Sequence, residues 1–405
     1  MAQGILAGIR VIELASVLAG PAVGAALAEL GAEVIKVENL LGRGDVTRTW
    51  KLATEPEGRD ISAYFSSVNW GKRSIALNLK DKAGLSVLHE LVKKADIVLA
   101  SYKPGDDEKL GVDFVTLAEI NPRLIYGRTT GYGQDDQRAG YDAVIQAESG
   151  FMFMNGEAGG RPTKMPVALI DVLAAHQLKE AVLLALYERE KTGRGRFVEV
   201  SLLQAGIASL ANQAANWLVG GEVPARIGSE HPNIVPYGSV FRGSDGAEIV
   251  LAIGSDKQFR ELCAILGRSE LGRDERFVSN LLRVKNRQHL NVILRELCSR
   301  IDSRALLDTC ASRGVPAGLV RDMRQVFEQA AAQELLLEAV SGQGQALKGV
   351  RQNAFSVGQW RNAELSAPPH YGEHSAAVLK EVLAYSEQRI DELQASGVLY
   401  DAGHS

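Results

Sequence analysis

The amino-acid sequence predicts an α/β fold built on a parallel sheet. Over the first third of the chain, short apolar segments typical of buried strands alternate with helix-forming segments. Residues 10–14 and 32–38 are the first two predicted strands, and the Ala- and Leu-rich run between them starts at Gly20-Pro21 and closes on Gly31. Proline in a first helical turn and glycine just beyond a helix end are the usual asymmetry of helices. Strands that alternate with helices indicate a parallel sheet with helices on its faces.

Further elements continue this alternation. Strands are predicted at 96–100, 124–126 and 196–202, a helix at 82–94, and a long helix at 172–191 that a Thr-Gly-Arg-Gly stretch ends. In such sheets ligands bind at the carboxyl ends of the strands. The loops that follow the strands are therefore the expected place of a site.

The composition changes about halfway along the chain, where Gly, Pro, Asn and His become frequent. This composition indicates a boundary followed by a long loop. We expect the N-terminal part of a large domain over 1–225, a smaller α+β domain over 226–325, and a C-terminal part, 326–405, that returns to the large domain. Within that last part, 331–366 is expected to be rich in loops and 376–396 to be helical.

Charge and cysteine content exclude several classes of protein. The 405 residues carry a formal net charge of −4, so no basic excess indicates a nucleic acid or an anionic membrane as partner. The 3 cysteines are widely spaced and form no C-x-x-C pair, which is typical of a reducing cytosol and argues against a structural zinc site. Charges interrupt every apolar stretch well short of the ~18 residues of a membrane span, and the start has no signal-peptide pattern. We expect a cytoplasmic protein without a metal site.

The loop from Ser16 to Pro21 joins a strand to the start of a helix, a place that suits phosphate or another anion. It is not a G-x-G-x-x-G loop, so a nicotinamide-dependent dehydrogenase receives little support, and a plain strand–helix turn stays an alternative. Cations at Lys72-Arg73 and Lys109 lie next to predicted strands. The phosphates of a nucleotide need such charges, although exposed cations taken singly are usually only solvated.

Asp171 is the single charged residue in the apolar run from 165 to 175. A carboxylate in such a run caps a helix, meets a partner or does chemistry. As a cap it would need no further explanation. As a catalytic group it would open the helix and be held by the helix N–H groups, which would favour the anion and limit its protonation. The residues alone leave both interpretations open.

His231 belongs to a loop, 228–237, that two prolines stiffen. Such a loop could cover a site or serve as a rigid connector. The other histidines are scattered, and a structural role is expected for His176. The sequence contains neither an H-E-x-x-H zinc motif nor the G-x-S-x-G elbow of serine hydrolases.

Ten short segments in one order give the chain a resemblance to family III CoA-transferases, which include formyl-CoA and carnitine CoA-transferases. The segments run nearly from end to end: LAGIRVIELASVLAGPAVGAALAELGAEVIKVE, NWGKRSIALNLK, NPRLIYGRTTGYG, GYDAVIQA, MPVALIDVLAA, EREKTGRGRFVEVSLL, HPNIVPYGSVF, RFVSNLLRVKNR, GVPAG and PPHYGEH.

This resemblance implies an enzyme that transfers CoA between carboxylic acids, with CoA as co-substrate and no permanently bound cofactor. Asp171 matches the family's aspartate, whose carboxylate would form a mixed anhydride with the acyl group of the donor and then a thioester with CoA. The resemblance also implies an interlocked homodimer with a Rossmann-like large domain.

Individual positions carry over from the family unevenly. Residues that the resemblance places at CoA or beside the nucleophile are Val17, Ala19, Lys72, Arg73, Tyr102, Lys109, Tyr141 and Asp142. Leu18 stands where formyl-CoA transferases have Gln. The Arg that stacks on the adenine side of CoA in the family is replaced in this chain, at a position near Asn39, and Arg43 could compensate for its loss. The glycine-run lid of formyl-CoA transferases is absent, and 228–237 occupies its place. These departures argue against formate and oxalate as the acid pair.

The loop at 228–237 resembles that of members acting on short dicarboxylates, such as succinate with mesaconate, citramalate or glutarate. A second carboxylate would need a cation or polar donors, and Arg48, His231 and Asn233 are the candidates. One rival is an α-methylacyl-CoA racemase, which needs a histidine where this chain has Tyr141, and tyrosine, with a pKa of ~10, is a poor base. A non-catalytic CoA-binding protein is the other rival.

Overall fold

A computed structural model of the chain describes residues 4–358 and 363–402. Their strands, in chain order, are β1 Arg10–Leu14, β2 Glu33–Asn39, β3 Lys72–Leu77, β4 Ile97–Ala100, β5 Ile125–Thr130, β6 Phe197–Ser201, β7 Tyr237–Arg242, β8 Glu248–Ala252, β9 Ala317–Leu319, β10 Leu336–Val340, β11 Ala346–Val350 and β12 Leu399–Tyr400.

The α-helices over the same residues are α1 Ala19–Glu29, α2 Ala63–Ser66, α3 Lys82–Val92, α4 Asp106–Leu110, α5 Phe114–Ile120, α6 Asp142–Glu148, α7 Phe151–Met154, α8 Leu169–Thr192, α9 Leu202–Ala208, α10 Ala211–Leu218, α11 Asp256–Ile265, α12 Asn280–Lys285, α13 Arg287–Cys298, α14 Ser303–Ser312, α15 Met323–Phe327, α16 Ala330–Gln333, α17 Ser375–Leu383 and α18 Glu387–Ala395. Short 3₁₀ helices lie at Val46–Thr49 and Ser269–Arg273.

The described residues fall into two compact units. The first comprises 4–149, 166–209 and the described part of 334–402, and the second comprises 150–165 and 210–333.

A seven-stranded sheet in the order β12-β3-β2-β1-β4-β5-β6 runs through the first unit. All neighbouring strands are parallel except the edge strand β12, which is antiparallel to β3. Ile12 in β1 pairs with Ile35 on one side and Val98 on the other. An α/β fold with a mainly parallel sheet is therefore confirmed.

Alternating residues of the strands face two different hydrophobic clusters, as the period of two in a strand requires. Val11, Ile97 and Ile125 face the cluster that α1 and α8 cover. The next residue along each of the same strands, such as Ile12 after Val11, faces the cluster that α3, α5, α17 and α18 cover. Helices on both faces bury the sheet, which explains why its strands read as nearly continuous apolar runs.

The second unit has its own antiparallel sheet, β7-β8-β9, and its own core. Phe241, Phe259 and Leu294 lie in that core, which the strands share with α11, α13 and α14. Arg283 is buried beside it, and its Nε donates to the carbonyl of Val235 at 2.8 Å.

Most predicted elements are present, with ends shifted by a few residues. The strand at 10–14 is confirmed, and the long helix begins at Leu169 instead of 172. Strand β3 was not among the predictions, because Lys72 and Ser74 place polar residues at buried positions of an otherwise apolar segment.

Two expectations for the C-terminal region were wrong in part. The helical stretch 376–396 is two helices, α17 and α18, that separate at Ala384, where φ is 57°. The stretch 331–366, expected to be rich in loops, contains the antiparallel pair β10–β11.

Candidate active site

The carboxyl ends of β1, β4 and β5 surround a cavity of 210 Å³ in the first unit. Strand β1 lies between β2 and β4, so the sheet order reverses beside it, and such a switch point is where open α/β sheets bind ligands. The cavity is lined by loops after these strands, together with Asp171 and Leu202; the loop segments are 16–20, 101–104, 129–131 and 138–142.

Asp171 lies in the first turn of α8, with only 7% of its surface exposed. Burial, and next the negative charge of Asp142, raise the pKa of Asp171 to about 7. The expectation that helix N–H groups would limit its protonation was wrong. The carboxyl is instead poised between its acid and its anion near neutral pH, which is the range in which catalytic carboxyl groups are tuned.

Asp142 takes the role of capping the long helix. Its Oδ1 accepts hydrogen bonds from the N–H groups of Ile170 at 2.8 Å and Asp171 at 3.4 Å, and its Oδ2 accepts one from the Gln146 amide at 2.7 Å. The N-cap position itself is Ala168. The interpretation of Asp171 as a helix cap is therefore wrong, and its carboxylate is left to face the cavity.

The loop between β1 and α1 forms another wall. Val17 has φ of 71°, a left-handed conformation that is an outlier for a β-branched residue and strains the backbone by about 1–3 kcal/mol. Helix α1 starts directly afterwards at Ala19, and Pro21 carries no N–H. The N–H groups of Ala19 and Gly20 have no acceptor within the helix because they precede its first full turn. Both residues line the cavity, which makes these N–H groups candidate donors at its wall.

Two glycines bring the ends of the next wall together. A Cβ built on Gly140 would lie 2.4 Å from the Cα of Gly131, and one built on Gly131 would lie 2.7 Å from the Cα of Gly140. Only glycine permits this close approach of two backbones. It closes the loop after β5 and sets the position of Tyr141 and Asp142, which both line the cavity.

A second cavity of 300 Å³ adjoins the first, and Ser16 and Tyr102 line both. Asn39 and Lys80 lie at its wall. Burial raises the pKa of Tyr102 to about 12, so its phenol stays neutral. Lys80 was not predicted as a site residue. It follows the carboxyl end of β3 by three residues, but because β3 itself was not predicted, its place after a strand could not be recognised.

The model of CoA-transferase family III matches residues 6–375. The chain belongs to CoA-transferase family III. The succinate–glutarate CoA-transferase of Agrobacterium fabrum is 39% identical over 385 residues, which cover 93% of this chain and 95% of that protein. The succinyl-CoA:glutarate CoA-transferase of Homo sapiens is 37% identical over 398 residues, 97% of this chain and 90% of that protein. A crystal structure of a CaiB/BaiF family protein from Brucella suis has a TM-score of 0.81 and 37% identity, and the match covers 94% of this chain and all of that one.

The resemblance found in the sequence is thereby confirmed, and the family uses CoA as a co-substrate. Five predicted residues of this family III CoA-transferase line the first cavity with Asp171: Val17, Ala19, Tyr102, Tyr141 and Asp142. Others lie elsewhere.

Lys72 is engaged inside the protein and is not retained as a nucleotide contact of the transferase. Its ammonium group is buried and bonds both carboxylate oxygens of Glu13, at 2.9 and 2.8 Å, the carbonyl of Pro21 at 2.8 Å and Asn69 at 3.0 Å. Arg73 forms ion pairs with Glu33 and Glu381. Both residues begin β3, so they sit at the amino end of a strand whose carboxyl end borders the second cavity.

Arg48 was predicted to bind the second carboxylate of the substrate, and this prediction is corrected. Its guanidinium is buried, makes two bonds to Glu38 at 2.9 and 2.6 Å, and donates to the carbonyls of Asp60 and Pro369. It also lies over the ring of Phe65 at 3.8 Å. Its charge is compensated by the protein itself.

Arg43 and Lys109 are outside both cavities. Arg43 lines a separate cavity of 630 Å³ together with Tyr371. Lys109 is exposed on α4 and pairs with Asp106 at 2.8 Å. Their predicted contacts with CoA stay predictions.

His231 and Asn233 belong to the second unit. The Nδ1 of His231 accepts the backbone N–H of Asn233 at 3.1 Å, and its ring meets that of Tyr237 edge to face at 5.2 Å. The side-chain amides of Asn233 and Asn216 bond each other at 3.2 Å. These contacts order the loop that the sequence singled out.

Over residues 4–358 and 363–402, no cluster of three or more His, Cys, Asp or Glu has the arrangement of a metal site. Among the same residues, no helix is long and apolar enough to cross a membrane.

Proposed function

We propose that this transferase moves CoA from an acyl-CoA donor, succinyl-CoA or a similar thioester, to a short dicarboxylic acid such as glutarate. The observation that carries the proposal is Asp171, a buried carboxyl of raised pKa that faces a cavity at the switch point of the sheet. The two relatives named above support the choice of acids, since both act on succinyl or succinate and glutarate.

The two adjoining cavities suggest how CoA binds. The nucleotide would occupy the second cavity, with Lys80 against its phosphates, and the pantetheine arm would pass Ser16 and Tyr102, which line both cavities. The thioester would then lie in the first cavity beside Asp171. A Lys ammonium is a suitable partner for phosphate oxygens.

The first half of the reaction would use Asp171 as nucleophile. Its carboxylate oxygen attacks the carbonyl carbon of the donor thioester, the C–S bond breaks, and a mixed anhydride and the CoA thiolate result. The thiolate then attacks the aspartyl carbonyl of the anhydride. The donor acid leaves as its carboxylate, and Asp171 is left as a thioester with CoA. Covalent catalysis of this kind divides one difficult exchange into easier steps.

The second half reverses these steps with the acceptor acid. Its carboxylate attacks the aspartyl thioester, which releases the CoA thiolate and forms a new mixed anhydride. The thiolate attacks the acyl carbonyl that came from the acceptor, so the new acyl-CoA forms and Asp171 regains its carboxylate. No proton is taken up or released over the cycle, because carboxylate and thioester exchange partners.

Each attack places negative charge on a carbonyl oxygen. The N–H groups of Ala19 and Gly20 at the start of α1 would stabilise that oxyanion, and donors fixed before the reaction are often the largest single contribution to catalysis. Burial of Asp171 serves the same chemistry, since a carboxylate stripped of water is a stronger nucleophile, although it must be ionised to react.

The second carboxylate of the acids needs a separate partner. Because Arg48 is engaged inside the protein, the remaining candidates from the sequence are His231 and Asn233, and the first cavity adds the cations Lys103 and Arg138.

We also propose that the transferase is a cytoplasmic homodimer with domain boundaries near 225 and 325. Light scattering after gel filtration measures the dimer directly.

One experiment tests the proposed function. The enzyme is incubated with succinyl-CoA and one free acid at a time, from acetate to glutarate and mesaconate, and the CoA esters are followed by mass. We expect glutaryl-CoA or another dicarboxylic ester to form. Formation of no new ester, with epimerisation of an α-methylacyl-CoA instead, contradicts the proposal and favours the racemase.

A further inference from the structure

The loop that bears Val17 rests on a buried cluster of charges, here named the loop clamp, which consists of Glu13, Lys36, Asp45 and Lys72. Each of these residues is at most 4% exposed. The loop clamp contains two acids and two bases, and Glu13 connects them by bonding both lysines, at 3.1 Å to Lys36 and 2.8 Å to Lys72.

Three members of the loop clamp bond the backbone of the loop itself. The Lys36 ammonium donates to the carbonyl of Ala15 at 2.9 Å. The Asp45 carboxylate accepts the N–H of Val17 at 3.3 Å. The Lys72 ammonium donates to the carbonyl of Pro21 at 2.8 Å. The three contacts bracket the segment between β1 and the first turn of α1, which forms a wall of the first cavity.

Asp45 is the member that holds the strained residue. Besides the N–H of Val17, its carboxylate accepts the N–H of Thr47 at 3.0 Å and pairs with Lys36 at 2.9 Å. Burial is the largest single effect on the pKa of Asp45 and raises it, but the charge of Lys36 and the hydrogen bonds from Lys36 and Thr47 together outweigh burial and lower that pKa. A buried carboxylate, which these contacts favour in its ionised form, therefore accepts the N–H of a residue whose φ of 71° is unfavourable for valine.

Stability alone does not account for such a cluster. Taking four charges out of water is unfavourable, and apolar side chains of similar volume often give a protein at least as stable. Apolar side chains, however, cannot bond backbone groups. What the charges supply is a fixed position for the backbone on either side of Ser16–Gly20.

We propose that Asp45, through the loop clamp, is a positioning residue that holds Val17 in its left-handed conformation and thereby aims the N–H groups of Ala19 and Gly20 at the reacting carbonyl. This inference rests on the proposed function, in which Asp171 is the nucleophile and those N–H groups meet the oxyanion. Misplacement of a catalytic group by about 1 Å lowers a rate by about 100-fold.

The test compares Asp45→Ala with a matched control, Asp96→Ala. Asp96 also pairs with a buried cation, Arg189 at 3.0 Å, and accepts a backbone N–H, that of Arg10 at 2.9 Å. The contact with Arg10 lies at the amino end of β1, whereas the cavity lies at the carboxyl end of that strand. Both substitutions should lower the midpoint of thermal unfolding. Only Asp45→Ala should lower kcat, by about 100-fold, with a much smaller change in KM for the acyl-CoA.

A second substitution separates positioning from mere folding. Glycine adopts positive φ without strain, so Val17→Gly makes the left-handed conformation at position 17 less dependent on the contact with Asp45. In the Asp45→Ala background, Val17→Gly should restore kcat by about fivefold or more, while in Asp96→Ala it should not raise kcat. If Asp45→Ala does not fold, Asp45→Asn replaces it and is judged by the same comparisons, since the neutral amide loses the pair with Lys36 and is a weaker acceptor for the N–H of Val17 than the carboxylate.

Two results overturn the inference: a kcat of Asp45→Ala no lower than that of Asp96→Ala, or no gain in kcat when Val17→Gly is added. Asp171→Asn is measured alongside. If Asp171→Asn transfers CoA normally, the proposed function fails. If it is inactive while Asp45→Ala turns over like the control, only the loop clamp fails.

Discussion

Asp142 bonds the helix that carries Asp171 and, by its charge, acts against the ionisation of Asp171. Its Oδ1 accepts the N–H of Ile170 at 2.8 Å, at the start of α8, and its charge is the second cause, after burial, of the raised pKa of Asp171. One residue thus fixes the place of the proposed nucleophile and tunes its proton affinity.

The first prediction separates these two effects with Asp142→Asn. The amide keeps an oxygen for the N–H of Ile170 but removes the charge, so the pKa of Asp171 should fall. In a plot of kcat/KM against pH, the acidic limb near 7 should move down by about one pH unit or less, because a like charge near a carboxyl raises its pKa. An unchanged limb would show that Asp171 does not govern it. Asp135→Asn, on an exposed carboxylate of the same loop, is the control.

The second prediction concerns stability and follows from the raised pKa of Asp171. A carboxyl whose pKa is about 7 in the folded protein and 3.8 in the unfolded protein stabilises the folded state to its full extent only at pH values below 3.8. That contribution to the free energy of unfolding is lost as pH rises from about 4 to 7. Asp171→Asn is always neutral, so it should become more stable than the natural protein as pH rises.

The expected difference is roughly 2–4 kcal/mol at pH 8 and smaller at pH 5, at about 1.4 kcal/mol for each pH unit between the two pKa values. Urea unfolding of both proteins at the two pH values measures it. Asp171→Asn should also lose transfer activity by several orders of magnitude. A difference in stability that does not grow with pH would contradict the raised pKa.

The sheet could be predicted because its strands are buried on both faces and therefore read as apolar runs between helix signals. Val11 and Ile12 face opposite clusters, yet both are apolar. Strand β3 escaped prediction because two of its buried positions, Lys72 and Ser74, are polar. Their partners come from other strands and from the C-terminal region, which a local pattern does not contain.

The candidate site could be predicted only in outline. The order of segments indicated Asp171, but its pKa depends on Asp142, which lies 29 residues away along the chain. The same holds for Arg48, whose guanidinium bonds the carbonyl of Pro369, 321 residues away. The sequence showed that cations lie near predicted strands. Whether such a cation can face a ligand depends on whether it lies at the carboxyl end or the amino end of its strand. Lys80 lies at the carboxyl end of β3 and Lys72 at the amino end.

The third prediction tests Lys80 as a partner of the CoA phosphates. Lys80→Ala should raise KM for succinyl-CoA by about 10-fold or more with little change in kcat, since a hydrogen bond to a charged group contributes about 1.5–3 kcal/mol. The effect should shrink as salt rises. Lys82→Ala removes an exposed lysine at the start of α3, two residues further on, and should leave KM unchanged. Equal KM values for the two variants would remove Lys80 from the site.

The fourth prediction concerns the close approach of Gly131 to Gly140, which precedes Asp142 by two residues. In Gly140→Ala the new Cβ would lie 2.4 Å from the Cα of Gly131, and neither backbone can move aside as a flexible side chain would. The loop must therefore shift, and with it the carboxylate that caps α8.

We expect Gly140→Ala to lower kcat by about 10-fold or more, since small displacements of positioning groups have large effects on rate, and to lower the thermal midpoint by several degrees. Gly58→Ala is the matched control, because nothing lies within 4 Å of its Cβ. The pH profile supplies the deciding measurement: if the loop moves Asp142 away from Asp171, the acidic limb of kcat/KM moves down, as in Asp142→Asn. A loss of stability with kcat and pH profile unchanged would mean that the approach of Gly131 and Gly140 serves folding alone.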